Sequence, residues 1–327
     1  MPDAIVLRGL HKTFGDTVAV RDLDLVVPHG ALYGVIGPNG AGKTTTIRMM
    51  LSILLPDRGE LSVLGRRSAL EAKDRIGYLP EERGLYKRMR VGQFLAYMAR
   101  LKNADGPDLR ARITAWLDRV DLAGVEQKRC EELSKGMQQK VQFVAAIIHK
   151  PDLLILDEPF SGLDPVNQRM LRELVDEEHR RGATVLFSTH IMTHAEQLCD
   201  HVVMIHRGDK VLDDRLSDIR ARYVPREVVF EPLDPDADVG SLSTVPGVEH
   251  VGRDGREWYL TLASGAAPAS VIQRAAAAIP PARVELRRPT LEDVFISIVR
   301  AGSAHGDDAT LRAAVRDDGE GRGEARP

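Results

Sequence analysis

The chain has 327 residues, 43% hydrophobic and 28% charged, with a formal net charge of -3, which is the balance of a folded globular protein with room for one large domain and a smaller one. The absence of a basic stripe speaks against a nucleic-acid partner, and with no run of about 18 apolar residues and no signal-type start the chain is expected neither to span nor to cross a membrane by itself. Cys130 and Cys199 stand alone in helical-looking segments, so they read as unpaired thiols of a reducing compartment, not as a disulfide framework or clustered metal site.

From Ala4 to Val27 short apolar alternations, Ile5 and Leu7, then Leu23, Leu25 and Val27, flank a Phe14-Gly15-Asp16 turn and predict an antiparallel sheet. Ala31 to Ile36 predicts a buried strand running into a glycine-rich loop, and Thr44 to Leu55 a helix. Residues from about 85 to 150 form a helical insert, with Phe94, Leu95, Met98 and Leu101, then Ile113, Trp116, Leu117 and Val120, at helical spacing. Leu153 to Leu156 and Thr184 to Phe187 read as buried strands separated by a polar helix around Gln168 to Arg181, the pattern of a parallel sheet covered by helices. Val202 to Ile205 and Lys210 to Leu212, joined at Arg207-Gly208-Asp209, predict a hairpin.

Prolines at 225, 232 and 235 mark a change of composition, and a second unit is expected over 223–300. Strands are predicted at Val228 to Phe230, Val248 to Val251, Trp258 to Leu262 and Val284 to Leu286, with a helix at Ser270 to Ile279. Thr290-Leu291-Glu292-Asp293 resembles a capping box opening a last helix through Arg300. The Gly-, Asp- and Arg-rich tail over 301–327 is expected to be disordered.

Gly37-Pro38-Asn39-Gly40-Ala41-Gly42-Lys43-Thr44 matches G-x-x-x-x-G-K-[ST] between a buried strand and a helix, the setting of a phosphate-binding P-loop. Glycines there turn backbone N–H groups toward phosphate oxygens, the helix N-terminus adds positive potential, Lys43 reaches the β and γ phosphates and Thr44 offers a hydroxyl to Mg²⁺, with Thr45 next in the binding segment. Leu153-Leu154-Ile155-Leu156-Asp157-Glu158 ends four apolar residues in two acids, at the mouth of a buried strand where open α/β sheets bind ligands. Asp157 is suited to hold Mg²⁺ and Glu158 to orient or deprotonate the attacking water; without the P-loop upstream, the pair would be an acidic strand end.

Between these motifs, Leu133-Ser134-Lys135-Gly136-Met137-Gln138-Gln139 precedes an apolar helical face that Pro151 stops. The stretch resembles the L-S-G-G-Q signature of ABC ATPases, with Lys135 for the first glycine and Met137 for the glutamine, and the likeness extends over about two thirds of the chain. It implies an α/β P-loop cassette over 1–222, with a mixed sheet core, an antiparallel β subdomain and a helical subdomain, followed by a small α+β domain. It also implies that Ser134, Lys135 and Gly136 meet the γ phosphate held by a second cassette, Lys135 either approaching phosphate or remaining solvated. Ser161-Gly162-Leu163-Asp164-Pro165 resembles the family's D-loop, and His190 its switch histidine, which would hold Glu158 and water in line; His194, His201 and His206 read as ordinary polar residues. Phe14 falls where an aromatic ring faces adenine, and Glu81 stands in the Ile76 to Tyr86 segment where a glutamine normally links Mg²⁺ to the transport domain.

The Pro80 to Tyr86 segment, the Leu-Ser-Lys-Gly signature and the Pro289 to Phe295 segment together resemble bacterial ABC efflux ATPases of the sodium-extrusion and drug types. By that resemblance the chain hydrolyses ATP with Mg²⁺, forms a head-to-tail homodimer, and powers a separate integral membrane permease from the cytoplasmic face of the cell membrane. The rival reading is a soluble ABC ATPase acting on ribosomes or DNA. A single P-loop and the absence of a heptad run or basic stripe rank it lower.

Overall fold

The computed structural model describes residues 3–82, 84–222, 227–254 and 257–302; Arg83, the 223–226 segment and the tail beyond 302 lie outside the described residues. The chain divides into one unit formed by residues up to Leu216 with the chain from Ile298, and a second unit, Ser217–Ser297.

In the first unit, strands β1 (Ile5–Phe14) and β2 (Thr17–Val27) form the expected antiparallel hairpin, closed by Gly15 at φ 55. Alternation turns Ile5 and Leu7 into the core with their partners Val27 and Leu25, and a register shift at Gly9, φ 54, brings Leu10 in opposite Leu23. Strand β3 (Leu32–Ile36) is buried throughout and runs through the 37–42 loop into helix α1 (Lys43–Met50). The helix stops five residues short of the expected Leu55 because Leu51 turns out of helical geometry and Ser52 takes φ 56. Two strands lacking a sequence expectation follow, β4 (Arg58–Val63) and β5 (Ile76–Leu79). Strand β4 completes the order β2-β1-β4 by pairing Ile5 with Val63 and Leu7 with Leu61.

The helical insert consists of α2 (Val91–Leu101), α3 (Leu109–Arg119) and α4 (Lys135–Ile147). Val91, Phe94, Leu95 and Ala99 on α2, and Ile113 and Leu117 on α3, supply its buried faces, while Leu101 is exposed at a helix end. Then come β6 (Leu153–Asp157), α5 (Pro165–Arg180), β7 (Thr184–Thr189), α6 (Met192–Leu198) and the hairpin β8 (His201–His206) and β9 (Asp209–Arg215), before α7 (Leu216–Arg222), which from Ser217 on belongs to the second unit. Strands β5, β6, β7, β3 and β8 lie parallel in that order, and β9 closes the sheet antiparallel to β8.

In the second unit, β10 (Glu227–Pro232), β11 (Val248–Asp254), β12 (Glu257–Leu262) and β13 (Pro281–Arg287) form an antiparallel sheet ordered β11-β12-β10-β13. Val271 and Ala275 of helix α8 (Pro268–Ala278) join Val228, Phe230, Leu260 and Leu262 in its core. Helix α9 (Leu291–Gly302) opens with the expected box: Thr290 Oγ1 donates to Asp293 Oδ2 at 2.8 Å, and Asp293 N–H returns to Thr290 Oγ1 at 3.2 Å. Among the described residues no helix is long and apolar enough to cross a membrane.

Candidate functional site

The strand order sets the site. Strand β7 lies between β3 and β6, with Ile36 beside Thr189 and Asp157 beside Ser188, so the glycine loop, the Asp157-Glu158 pair and His190 leave the sheet side by side at its carboxyl edge.

The loop is shaped by positions where only glycine fits. Gly42 has φ 111, and a Cβ there would meet the Ala19 carbonyl at 2.3 Å; at Gly37, φ 152, it would meet the Ile205 carbonyl at 2.1 Å. Asn39 and Gly40 form the exposed rim, and Ala41, whose N–H donates to the Pro38 carbonyl at 3.2 Å, starts the buried wall. Lys43 is 5% exposed. Its ammonium donates to the carbonyls of Gly37 at 2.8 Å and Pro38 at 3.1 Å and stands 3.7 Å from Glu158 Oε1, inside the curve of its own loop. Thr44 and Thr45 occupy the first turn of α1, and Thr44 Oγ1 donates to Asp157 Oδ1 at 3.3 Å.

Asp157 has no exposed surface. Ser188 Oγ donates to its Oδ1 at 2.5 Å, whereas the buried Oδ2 has no hydrogen-bond partner. Burial pushes this carboxyl above the usual range, and the Ser188 and Thr44 hydroxyls pull it back. An unpartnered carboxylate oxygen beside a threonine hydroxyl is the hard oxygen donor set that suits Mg²⁺. Among the described residues no three His, Cys, Asp or Glu side chains gather as a metal site.

Glu158 takes φ 47, a left-handed conformation rarely adopted by residues with a side chain. Its N–H, directed at Ser188, lies 3.2 Å from both the carbonyl and Oγ of that residue. His190 Nδ1 lies 2.9 Å from Glu158 Oε1, and both side chains are largely buried. A largely buried carboxylate oxygen set between an imidazole and an ammonium has the geometry to take a proton from water. Glu81 lies at the exposed margin, where burial first and then the charges of Asp157 and Glu158 push its carboxyl up, while Lys43 and His190 draw it down. Its electrostatic partners are thus the same four residues.

The other expected site residues form different groupings. Phe14 is 51% exposed at the β1–β2 turn, with the Lys12 ammonium 5.6 Å from its ring centre. Ser134 caps α4 by accepting from Met137 N–H at 3.3 Å, and Ser134 and Lys135 are exposed there. Leu163 lies against Gly136, where an added Cβ would sit 3.7 Å from Leu163 Cδ2. Asp164 caps α5, accepting from Asn167 N–H at 3.0 Å, and that hydrogen bond holds its carboxyl below the usual range. Cys130 and Cys199 are free and buried. The sequence places Ser188 in the segment leading to His190 but assigns it no role; in the structure it clamps both Asp157 and Glu158, and its signal is a hydroxyl at the polar end of a buried strand.

The chain is similar to known proteins. Residues 20–161 match the model of the ABC transporter family, and residues 215–299 that of the ATP-binding protein DrrA1-3-like C-terminal domain. The ABC transporter ATP-binding protein YhaQ of Bacillus subtilis (strain 168) is 40% identical over 89% of this chain and 96% of its own length. The ABC transporter ATP-binding protein NatA of the same organism is 40% identical over 62% of this chain and 83% of its own. The daunorubicin resistance ATP-binding protein DrrA3 of Streptomyces coeruleorubidus is 32% identical over 95% of this chain and 99% of its own.

Proposed function

The chain belongs to the family of ABC transporter ATP-binding subunits, and from that premise we propose that it hydrolyses ATP as a homodimer to drive export through a separate membrane permease. The observation that carries hydrolysis is the convergence of Lys43, Thr44, Asp157, Glu158 and His190 at one edge of the sheet.

The loop N–H groups and Lys43 bind the ATP phosphates, exchanging the Gly37 and Pro38 carbonyls for phosphate oxygens. Thr44 and Asp157, with Glu81 at the margin, would hold Mg²⁺, which when bound offsets phosphate charge as the β–γ bond breaks. Glu158 accepts the proton of the attacking water, and His190 keeps the carboxylate aimed. Phe14 offers its exposed face to adenine. In the dimer, Ser134, Lys135 and Gly136 complete the pocket around the second copy's γ phosphate, and Asp164 fixes the start of α5 beside them. ATP joins the copies, and hydrolysis with phosphate release separates them.

Support for a permease comes from the segment that follows Glu81 in the chain. Tyr86 and Tyr97, both exposed, meet edge-on at 5.8 Å between ring centres over the buried Phe94 ring, 6.1 Å from Tyr86, an aromatic pair suited to a protein partner. Such a partner would hold the chain at the cytoplasmic face of the membrane. Export as the direction is supported by relatives named for drug resistance; the cargo class, a drug-like organic compound or a sodium ion, belongs to the permease. Residues 223–300 act as an accessory domain that strengthens the dimer, so deleting them should weaken dimerisation.

The test is Glu158→Gln. With ATP and Mg²⁺ the variant should lose turnover by about a hundredfold or more and elute as a stable dimer, whereas wild-type turnover would overturn the role of Glu158.

A further inference from the structure

Helix α4 carries a buried glutamine on the side away from its exposed Ser134 end. Gln139 is 3% exposed, and its Nε2 donates to the Pro159 carbonyl at 3.1 Å. Pro159 directly follows Glu158, whose backbone holds the left-handed φ of 47. The bend is held on its near side by the Glu158 N–H directed at Ser188, and on its far side by the Gln139 amide. A buried carbonyl deprived of its donor turns to find another. Here such a turn would rotate the Pro159–Phe160 peptide and shift Pro159, whose ring is bonded directly to the Glu158 carbonyl carbon.

The same helix touches the surrounding loops at two more places. Leu163 lies against Gly136, and the Nε2 of Gln142, itself 5% exposed, reaches toward the Glu82 carbonyl at 3.5 Å. Helix α4 is therefore tied both to the chain leaving Glu158 and to the segment that carries Glu81.

We propose that Gln139 is a positioning residue for hydrolysis: its amide holds the Pro159–Phe160 peptide, the second after Glu158 N–H, and through the rigid Pro159 ring ties the aim of Glu158 to the position of α4. The inference rests on the ATPase-dimer reading above. In that dimer, Ser134 at the start of α4 serves the nucleotide of the second copy while Glu158 serves the chain's own. A shift of α4 on engaging the partner's γ phosphate would then adjust Glu158 through Gln139, linking the two sites within one chain. Misplacement of a reacting group by about 1 Å lowers rates by up to about a hundredfold.

The test uses the full chain with ATP and Mg²⁺. Gln139→Met keeps length and volume but removes the donor. We expect kcat to fall tenfold or more, while KM and the affinity for a fluorescent ATP analogue stay within twofold, because Gln139 lies outside the nucleotide path. A purely structural role would lower the melting temperature and leave kcat within twofold, and that result would overturn the proposal. Gln139→Glu, equally long and with its donor replaced by a carboxylate, should show the same split and decides the matter if the methionine variant does not bind nucleotide. Wild-type hydrolysis by Glu158→Gln is a separate result, which would overturn the catalytic reading and this inference with it.

Discussion

Replacing His149 by glutamine should make the first unit resist acid better than the natural protein does. His149 follows α4, and its Nε2 lies 3.2 Å from the Ile76 carbonyl, while the buried Nδ1 has no partner. Burial pushes its pKa down from 6.5 to about 4, helped by the Lys102 ammonium, which donates to the same carbonyl at 2.9 Å. The folded protein therefore keeps the ring neutral at pH values where the unfolded chain protonates it. The contribution is intact above pH 6.5 and is lost as the pH falls toward 4. At pH 5 the loss is on the order of 2 kcal/mol, and over the whole window on the order of 3 kcal/mol. Glutamine can still donate to the Ile76 carbonyl and does not titrate. Urea unfolding followed by Trp116 fluorescence, with Trp258 changed to Phe in both proteins, should show the stability difference moving in favour of His149→Gln by about that amount between pH 7.5 and 5. A difference equal at both pH values would refute the buried neutral histidine, as would an imidazole NMR titration with its midpoint near 6.5.

Gly42→Ala forces a methyl group toward the Ala19 carbonyl at φ 111 and should cost about 3 kcal/mol, against about 1 kcal/mol for Gly40→Ala, which has open space at φ 74; urea midpoints compare them. Ser188→Ala leaves Asp157 Oδ1 with Thr44 alone in a buried setting and should weaken Mg²⁺-dependent nucleotide binding about tenfold, with little effect on binding in EDTA, as read by titration calorimetry. Thr290→Ala removes the reciprocal cap of α9 and should lower the stability of the second unit by about 1 kcal/mol, seen in the Trp258 transition.

What the sequence conveys well is whatever depends on local chemistry. Strand β3 and the loop after it are legible because an apolar run must meet a segment that only glycine can follow, and the Thr290 box because its three hydrogen bonds lie within four residues. Strand β4 is hidden: its six residues include Arg58, Gly59 and Glu60, all exposed, and Gly59 at φ 95 lies against the Gly9 carbonyl, so the strand owes its place to pairing with β1, not to its own pattern. Strand β5 is four residues long, and the closeness of Gly77 to the Ala146 carbonyl, a contact across the fold, explains its glycine. The end of α1 is hidden because Ile53, Leu54 and Leu55 continue an apolar run after the backbone has already turned at Ser52.

The sequence by itself determined the candidate phosphate loop, the acidic strand end, the capped start of α4 and the family these imply, since each is a pattern of neighbours along the chain. Only the tertiary structure decided that β7 separates β3 from β6, and hence that Ser188 braces Asp157, that His190 meets Glu158, and that Gln139 reaches Pro159. The physical reason is sheet order. Hydrogen bonding between strands joins segments more than a hundred residues apart, and no local periodicity records which strand will become whose neighbour.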